Sequence, residues 1–276
     1  MHKIGLALGG GGAKGVSHVL MLEALEELGL RPSYVTGTSI GALIGAMYCG
    51  GKTAAELREI FLEFSLKENE SLKHLVTRKH IFKWMDFVKP QFRGKGLVRV
   101  ENLLNYLFSS VPAKTFSELN IPLKIVATDF WSRKQVVQSR GALIPAIRAS
   151  MSMPGLFEPI TLGERVLIDG GAVNPVPFDL LPESCDLTIA VDVLGQRSAT
   201  VGEIPSLSEA VFNTFQIMQK SIIREKLKTS SPDIFIEPKI SNIRVLEFYK
   251  AHEIFAQAKG AKSYLKRCIT QHLEAG

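Results

Sequence analysis

Apolar and polar positions follow two alternating patterns along the first fifty residues. Residues 3–8 form a short apolar run typical of a buried strand, and residues 14–28 place apolar side chains at helical spacing. A glycine loop separates the two patterns. The same order recurs as a strand over 33–36, a tight turn and a helix over 40–49. This succession predicts a parallel sheet covered by helices.

Later apolar runs continue this alternation and predict an α/β fold. Residues 195–205 predict a flexible link, residues 207–228 predict a long helix, and residues 245–272 predict a last helix on the outside. We expect one domain over residues 1–276, with a core over 4–195 and a helical extension over 205–276. The further strand candidates are residues 123–128, 134–139, 165–168, 187–193 and 234–236.

Composition narrows the class of protein. A chain of 276 residues with 46% hydrophobic content can bury one large core, and its net charge of +6 attracts phosphates on nucleic acid or on an anionic membrane. Cys49, Cys185 and Cys268 are widely spaced and odd in number, which indicates reduced thiols in a cytosolic protein and no metal site. Residues 32–51 carry no charge, but their proline and glycines favour a buried strand-turn-helix over a membrane span.

The glycine loop allows several interpretations. Gly10, Gly12 and Gly15 have GxGxxG spacing, but dinucleotide binding requires an acidic residue about twenty positions on, and none occurs from position 28 to 55. A Walker loop fails because Lys14 is followed by glycine and valine instead of serine or threonine. Backbone N–H groups at a helix N-terminus, able to stabilise an oxyanion, remain the favoured interpretation, and a tight turn is the alternative.

A candidate nucleophile follows the second strand. Residues 37–41 read GTSIG and match GxSxG, which places a serine on a sharp strand-to-helix turn. Small residues in the next helix allow close packing on the sheet, and its dipole stabilises negative charge at Ser39. The alternative role for Ser39 is that of a helix N-cap.

A serine nucleophile needs a base to take its proton, and histidine is the usual choice. His252 and His272 lie late in the chain, as the order of α/β-hydrolases requires, but both belong to a charged C-terminal helix without turn context. His18, on the first helix, is expected to be a packed or surface residue.

Carboxylates are the second class of candidate base. Asp169 ends an apolar strand and precedes two glycines, so its side chain is expected at the C-terminal edge of the sheet. It can serve as the base directly or cap the next turn. Asp129 and Asp192 also end apolar strands and are the weaker candidates.

Three motifs together resemble those of the patatin-like phospholipases: GGGGAKG (9–15), GTSIG (37–41) and DGG (169–171). RASMSMPGLFEPI (148–160) and NPVP (174–177) support the resemblance, which spans about residues 4–195. It implies a three-layer α/β/α fold with a mainly parallel central sheet and a catalytic dyad without histidine. It also implies Ser39 as the nucleophile, Asp169 as the base, and Gly10, Gly11 and Gly12 as oxyanion donors.

The implied chemistry is transfer of an acyl group from a lipid ester to the serine and then to water, with no metal or cofactor. Lys14 occupies the basic position of the family's loop motif, where it fixes the loop, meets a phosphate head group or is simply solvated. Pro154 and Phe157 are candidate substrate-binding residues, and Gly155 and Phe157 are placed on the acyl path or in the core.

A basic segment begins at Leu72 and ends at Arg99, with eight basic residues against one acidic residue and a net charge of +7. Phenylalanine and tryptophan interleave with the charges, which predicts a membrane-facing lid on anionic lipid. A nucleic-acid patch and an ordinary solvated face are the alternatives, and no nucleic-acid partner is expected.

These expectations combine into one function. We expect a serine acyl hydrolase, a phospholipase A or lipid esterase, that is cytoplasmic and peripherally associated with membranes. An acyltransferase or general carboxylesterase with the same dyad is the first alternative. A non-catalytic lipid-binding regulator is the second, and a nucleotide-binding regulator is disfavoured by the missing acidic residue.

Overall fold

The computed structural model describes residues 2–63, 113–196, 204–205 and 207–275. The basic segment 72–99 and most of the link predicted over 195–205 lie outside these residues. Within them, the strands are β1 (Ile4–Leu8), β2 (Tyr34–Thr38), β3 (Leu123–Asp129), β4 (Lys134–Gln138), β5 (Ile160–Leu162), β6 (Arg165–Asp169), β7 (Leu187–Val191) and β8 (Ile234–Ile236). The α-helices are α1 (His18–Glu27), α2 (Ile40–Cys49), α3 (Ala54–Glu63), α4 (Leu143–Met151), α5 (Leu207–Thr229) and α6 (Ala251–Ala275).

The strands form one mixed sheet in the order β5-β6-β3-β2-β1-β7-β8, and β4 also pairs with β3. The central strands β3, β2, β1, β7 and β8 are parallel to one another. The pairs of β3 with β4, of β3 with β6 and of β5 with β6 are antiparallel. The predicted α/β fold with a mainly parallel central sheet is confirmed.

Helices cover both faces of the sheet. Leu6 and Leu8 of β1 belong to the larger core, with α1, α2 and α6, whereas Ala7 between them belongs to a smaller core. Phe215 of α5 packs against the larger core, and Ile223 of the same helix lies in the smaller one. Helix α5 therefore passes from one face of the sheet to the other, beside the ends of the parallel strands.

The uncharged stretch after β2 is a buried helix, as the sequence predicts. All ten residues of α2 are buried, and the helix packs on β2 and β3. Among the described residues, no helix combines the length and the apolar composition needed to cross a bilayer.

Some element boundaries differ from the predictions. The helix predicted over 14–28 begins as a 3-10 helix, Gly12–Ser17, and becomes α1 only at His18. The helix predicted over 245–272 begins only at Ala251, and a 3-10 turn, Phe248–Lys250, precedes it. Strand β5, three residues long, was not predicted.

Candidate active site

Ser39 occupies a strained turn between β2 and α2. Its backbone angles are φ 54 and ψ −122, a region that costs a non-glycine residue on the order of 1–3 kcal/mol. The glycines two residues before and after Ser39 leave no room for a side chain. A Cβ on Gly37 would lie 2.7 Å from the amide nitrogen of Ala42, and one on Gly41 would lie 2.1 Å from the carbonyl oxygen of Leu8. The chain thus uses two glycines to hold one serine in a sharp turn.

The side chain of Ser39 does not act as a helix cap. Ser39 stands at the N-cap position of α2, yet its hydroxyl makes no capping hydrogen bond. The hydroxyl interacts instead with the carboxylate of Asp169. The Ser39 amide donates a hydrogen bond of 2.8 Å to Oγ of Ser150, a fully buried residue of α4. Ser150 therefore holds the strained turn from a neighbouring helix.

The sheet register brings Asp169 level with Ser39. Asp169, the last residue of β6, pairs with Ala127 of β3, and Thr38, which precedes the serine, pairs with the adjacent Val126. Asp169 therefore lies at the C-terminal end of β2, the edge of the parallel strands where the sequence predicts it, although β6 itself runs antiparallel to β3. The carboxylate reaches the serine from a strand that runs in the opposite direction.

Burial sets the protonation of Asp169. The residue is 2% exposed, and burial raises the pKa of its carboxyl from 3.8 to about 6. The Ser39 hydroxyl and the Gly171 amide, which donates to Oδ1 at 2.7 Å, partly offset this rise. A carboxylate with a pKa near 6 is ionised at neutral pH and is more basic than an ordinary aspartate. Asp169 also caps the turn that follows it, so the two roles coexist.

The other candidate bases lie away from the serine. His252 is exposed, and His272 contacts a backbone carbonyl on another part of the surface. Asp129 accepts hydrogen bonds from the amides of its own turn. Asp192 is buried in an ion pair with Lys220. None of these four residues lines the cavity at the serine.

Two of the three predicted oxyanion donors remain available. The amide of Gly10 donates to the carbonyl of Pro175 at 2.9 Å, so the prediction that Gly10 is a donor is corrected. Gly11 and Gly12 line the cavity together with Ser39. Among the described residues, none accepts a hydrogen bond from either of these two amides. The pair can therefore donate to an oxygen that develops negative charge beside the serine.

Close packing fixes the shape of the glycine loop. Gly12 has φ +61, and a Cβ there would lie 2.4 Å from the carbonyl oxygen of Val245. A Cβ on Gly11 would lie 2.6 Å from the carbonyl oxygen of Val193. His18, fully buried, contacts the carbonyl of the preceding Gly9 through Nε2 at 2.8 Å. Burial lowers the pKa of His18 to about 4, so a neutral imidazole donates this bond, and of the two settings expected for His18, packed or at the surface, the structure has the packed one.

The remaining predicted site residues lie in different surroundings. Lys14 is only 3% exposed, so the solvated alternative is wrong, and its Nζ donates to Oε1 of Gln216 at 3.3 Å. Burial lowers the pKa of Lys14 to about 8. Phe157 lines the cavity, whereas Pro154 is exposed and lies outside the cavity lining.

The cavity above Ser39 is small and mostly apolar. Its volume is about 40 Å³, which is room for a few water molecules, so a larger substrate requires its wall to move outward. Gln219 of α5 packs so closely on Gly171 that a Cβ there would lie 1.9 Å from Nε2. The apolar wall is formed by Met151, Met153, Leu156, Phe215, Val245 and Phe248.

Several of these supporting residues carried no recognisable sequence signal. Ser150 lies within the motif quoted at 148–160, but nothing in that motif indicates that its hydroxyl binds the Ser39 amide. Gln219 and Phe215 belong to an ordinary-looking amphipathic helix. Their roles depend on contacts between distant parts of the chain.

Comparison with known proteins assigns the family. Residues 6–182 match the family described as patatin-like phospholipase. An uncharacterised NTE family protein of Mycobacterium tuberculosis is 32% identical over 197 residues, which cover 71% of this chain and 50% of that protein. Human patatin-like phospholipase domain-containing protein 6 is 28% identical over an alignment of 280 positions, which covers 91% of this chain and 19% of that protein.

The fold agrees with this assignment. VipD from Legionella pneumophila superposes with a TM-score of 0.53 at 14% identity, over 96% of this chain and 67% of that one. The chain spans half the length of its mycobacterial relative and about a fifth of the human one. Because the family match covers well over half of its residues, the chain belongs to the patatin-like phospholipase family.

Proposed function

We propose that the protein is a serine acyl hydrolase that cleaves fatty acyl esters of phospholipids or related lipids. One observation carries the proposal: the hydroxyl of Ser39, on a strained turn, faces the buried carboxylate of Asp169. The free amides of Gly11 and Gly12 beside it and the family membership support the same reaction.

In the first half of the reaction, Asp169 takes the proton of the Ser39 hydroxyl as the oxygen attacks the ester carbonyl carbon. The carbonyl oxygen becomes negatively charged and accepts hydrogen bonds from Gly11 and Gly12. The tetrahedral intermediate then collapses, and the bond to the alcohol breaks. The proton held by Asp169 passes to the departing alkoxide, which leaves as an alcohol.

In the second half, water replaces the alcohol. Asp169 takes a proton from the water as its oxygen attacks the acyl-serine carbonyl, and the same two amides hold the new oxyanion. Collapse of this intermediate breaks the bond to Ser39, which recovers the proton. The products are a fatty acid and the unchanged protein, and no metal or cofactor takes part.

The cavity lining supports a lipid acyl chain as the substrate group. Methionine, leucine and phenylalanine side chains surround the serine, and burial of an alkyl chain against them is favourable by about 0.8 kcal/mol per methylene. Because the cavity is small, we expect short acyl esters to be accepted more readily than long ones by the protein alone in water.

The test is release of p-nitrophenol from p-nitrophenyl butyrate. We expect the Ser39→Ala and Asp169→Asn variants to lose at least about a thousandfold in kcat/KM. His252→Ala is the matched control, because that histidine is exposed and lies away from the cavity, and it should retain full activity. Circular dichroism and urea unfolding establish that each variant is folded.

The outcomes separate the proposal from its alternatives. Loss of activity confined to the Ser39 and Asp169 variants supports the dyad, and phospholipid vesicles are then the next substrate. Equal activity in all variants would end the hydrolase proposal. Loss of activity in His252→Ala would point to a histidine base instead.

A further inference from the structure

Two aromatic side chains project from the connection between β3 and β4. Phe130 is 46% exposed and Trp131 is 75% exposed, and their rings meet edge to face with centroids 4.9 Å apart. A short surface turn usually carries polar residues or glycine. A pair of large exposed aromatic rings at such a turn indicates a binding surface.

The turn is built to hold these rings outward. The carboxylate of Asp129 accepts hydrogen bonds of 3.2 Å from the amides of Trp131 and Ser132. The Arg133 amide closes the turn on the Asp129 carbonyl at 2.9 Å. Arg133, two residues after Trp131, has φ 59, a conformation that favours glycine or asparagine, so the backbone of this turn is strained at an arginine.

Three basic residues lie in or next to the aromatic turn. Arg133 and Lys134 are exposed, and Arg165, whose side chain is 61% exposed at the start of β6, forms an ion pair of 3.9 Å with the carboxylate of Asp129. On the acidic side, Asp129 is occupied by the turn amides, and Glu164 is exposed in the neighbouring β5–β6 turn. The turn and its neighbour therefore carry three cations, Arg133, Lys134 and Arg165, against two carboxylates.

The register places this turn at the same end of the strands as the serine. Val126 of β3 pairs with Thr38, the residue before Ser39, and both strands run in the same direction. Phe130 lies four residues beyond Val126, which corresponds to about 13 Å along an extended strand. The aromatic turn therefore projects past the level of Ser39.

We propose that Phe130 and Trp131 anchor the protein in the surface of an anionic membrane. The rings enter the boundary between head groups and acyl chains, where aromatic side chains are favoured, and Arg133, Lys134 and Arg165 meet the lipid phosphates. The anchor brings the edge of the sheet that carries the serine against the lipid surface. This membrane anchor rests on the proposed function, because it assumes that the substrate is a lipid.

Binding of the full chain to vesicles tests the proposal. The vesicles contain phosphatidylcholine with or without phosphatidylglycerol, and the Phe130→Ala/Trp131→Ala double variant is compared with wild type by co-sedimentation. We expect the double variant to lose about tenfold or more in partition onto the anionic vesicles. Tyr264→Ala is the matched control, because Tyr264 is 51% exposed on α6, and it should bind as wild type does.

A second measurement does not depend on a folded double variant. The chain contains two tryptophans, Trp84 and Trp131, so a Trp84→Phe variant reports on Trp131 alone. We expect its fluorescence to shift to the blue on anionic vesicles and to be quenched by brominated acyl chains. Unchanged fluorescence, or equal vesicle binding by the double variant and wild type, would overturn the anchor.

Hydrolysis of soluble p-nitrophenyl butyrate separates this proposal from the proposed function. The double variant should hydrolyse the soluble ester as wild type does and lose activity only on vesicles. If Ser39→Ala leaves ester hydrolysis intact while vesicle binding still depends on the two rings, the hydrolase proposal fails and the anchor stands.

Discussion

Replacing Asp169 by asparagine should stabilise the protein while it abolishes activity. The change keeps the shape of the side chain, and the amide oxygen can still accept the 2.7 Å hydrogen bond from Gly171. It removes the buried negative charge. The comparison of Asp169→Asn with wild type therefore isolates the free energy of ionising a carboxyl group in this site.

The magnitude follows from the pKa of Asp169, which burial raises from 3.8 to about 6. The folded state holds its proton more tightly than the unfolded state, so wild-type stability falls as pH rises from 3.8 to 6. The full cost of ionisation is about 3 kcal/mol above that range. The stability advantage of the variant should be about half of this cost at pH 5 and the full cost, about 3 kcal/mol, at pH 8.

Urea unfolding followed by circular dichroism at pH 5, 6, 7 and 8 measures this difference. Asp129→Asn is the control of opposite sign, because hydrogen bonds from the turn amides lower the pKa of Asp129. That variant should be less stable than wild type by an amount that stays the same from pH 5 to pH 8, because a carboxyl whose pKa is lowered below 3.8 is already ionised throughout this range. A difference between Asp169→Asn and wild type that stays constant from pH 5 to pH 8 would refute the assignment of a raised pKa to Asp169.

Three further predictions concern the reaction and its supports. The value of kcat/KM for a soluble ester should rise with pH and level off above about 6, where Asp169 is ionised, and a profile flat from pH 5 to 8 would contradict this role. Ser150→Ala leaves the amide of Ser39 without its hydrogen-bond acceptor, so kcat should fall about tenfold or more with little change in KM. The control Ser152→Ala loses a hydrogen bond only to its own helix, and its kcat should stay within about twofold of wild type. Gly12→Ala should lose activity and about 2 kcal/mol or more of unfolding free energy, whereas the control Gly163→Ala, which has the same φ of +61 but no atom within 4 Å of the added Cβ, should lose about 1 kcal/mol and remain active. Equal losses of unfolding free energy in the two variants would contradict the packing argument.

Local patterns in the sequence were sufficient to predict the fold class and the turn at Ser39. The apolar runs at β1, β2 and β7 identify buried parallel strands, and the small residues around Ser39 identify a sharp turn before a helix. These features depend on neighbouring residues alone. The structure confirms the α/β sheet, and the catalytic roles of Ser39 and Asp169 stay predictions.

Contacts between distant residues could not be predicted in this way. The direction of β6 depends on its pairing with β3, about forty residues earlier in the chain, and a single strand pattern fits either direction. Gly10 looks like its neighbours in the sequence, yet its amide is bonded to Pro175. Ser150 binds the Ser39 amide across 111 positions of sequence. Each of these depends on how separate elements dock.

Covalent labelling of the serine tests the central claim most directly. A fluorophosphonate reacts with an activated serine, so that the oxygen forms a bond to phosphorus and fluoride leaves. We expect mass spectrometry of the labelled protein to find one adduct per chain, on the peptide that contains Ser39, and much slower labelling of Asp169→Asn. An adduct on a different serine, or none in a preparation that hydrolyses esters, would contradict the account.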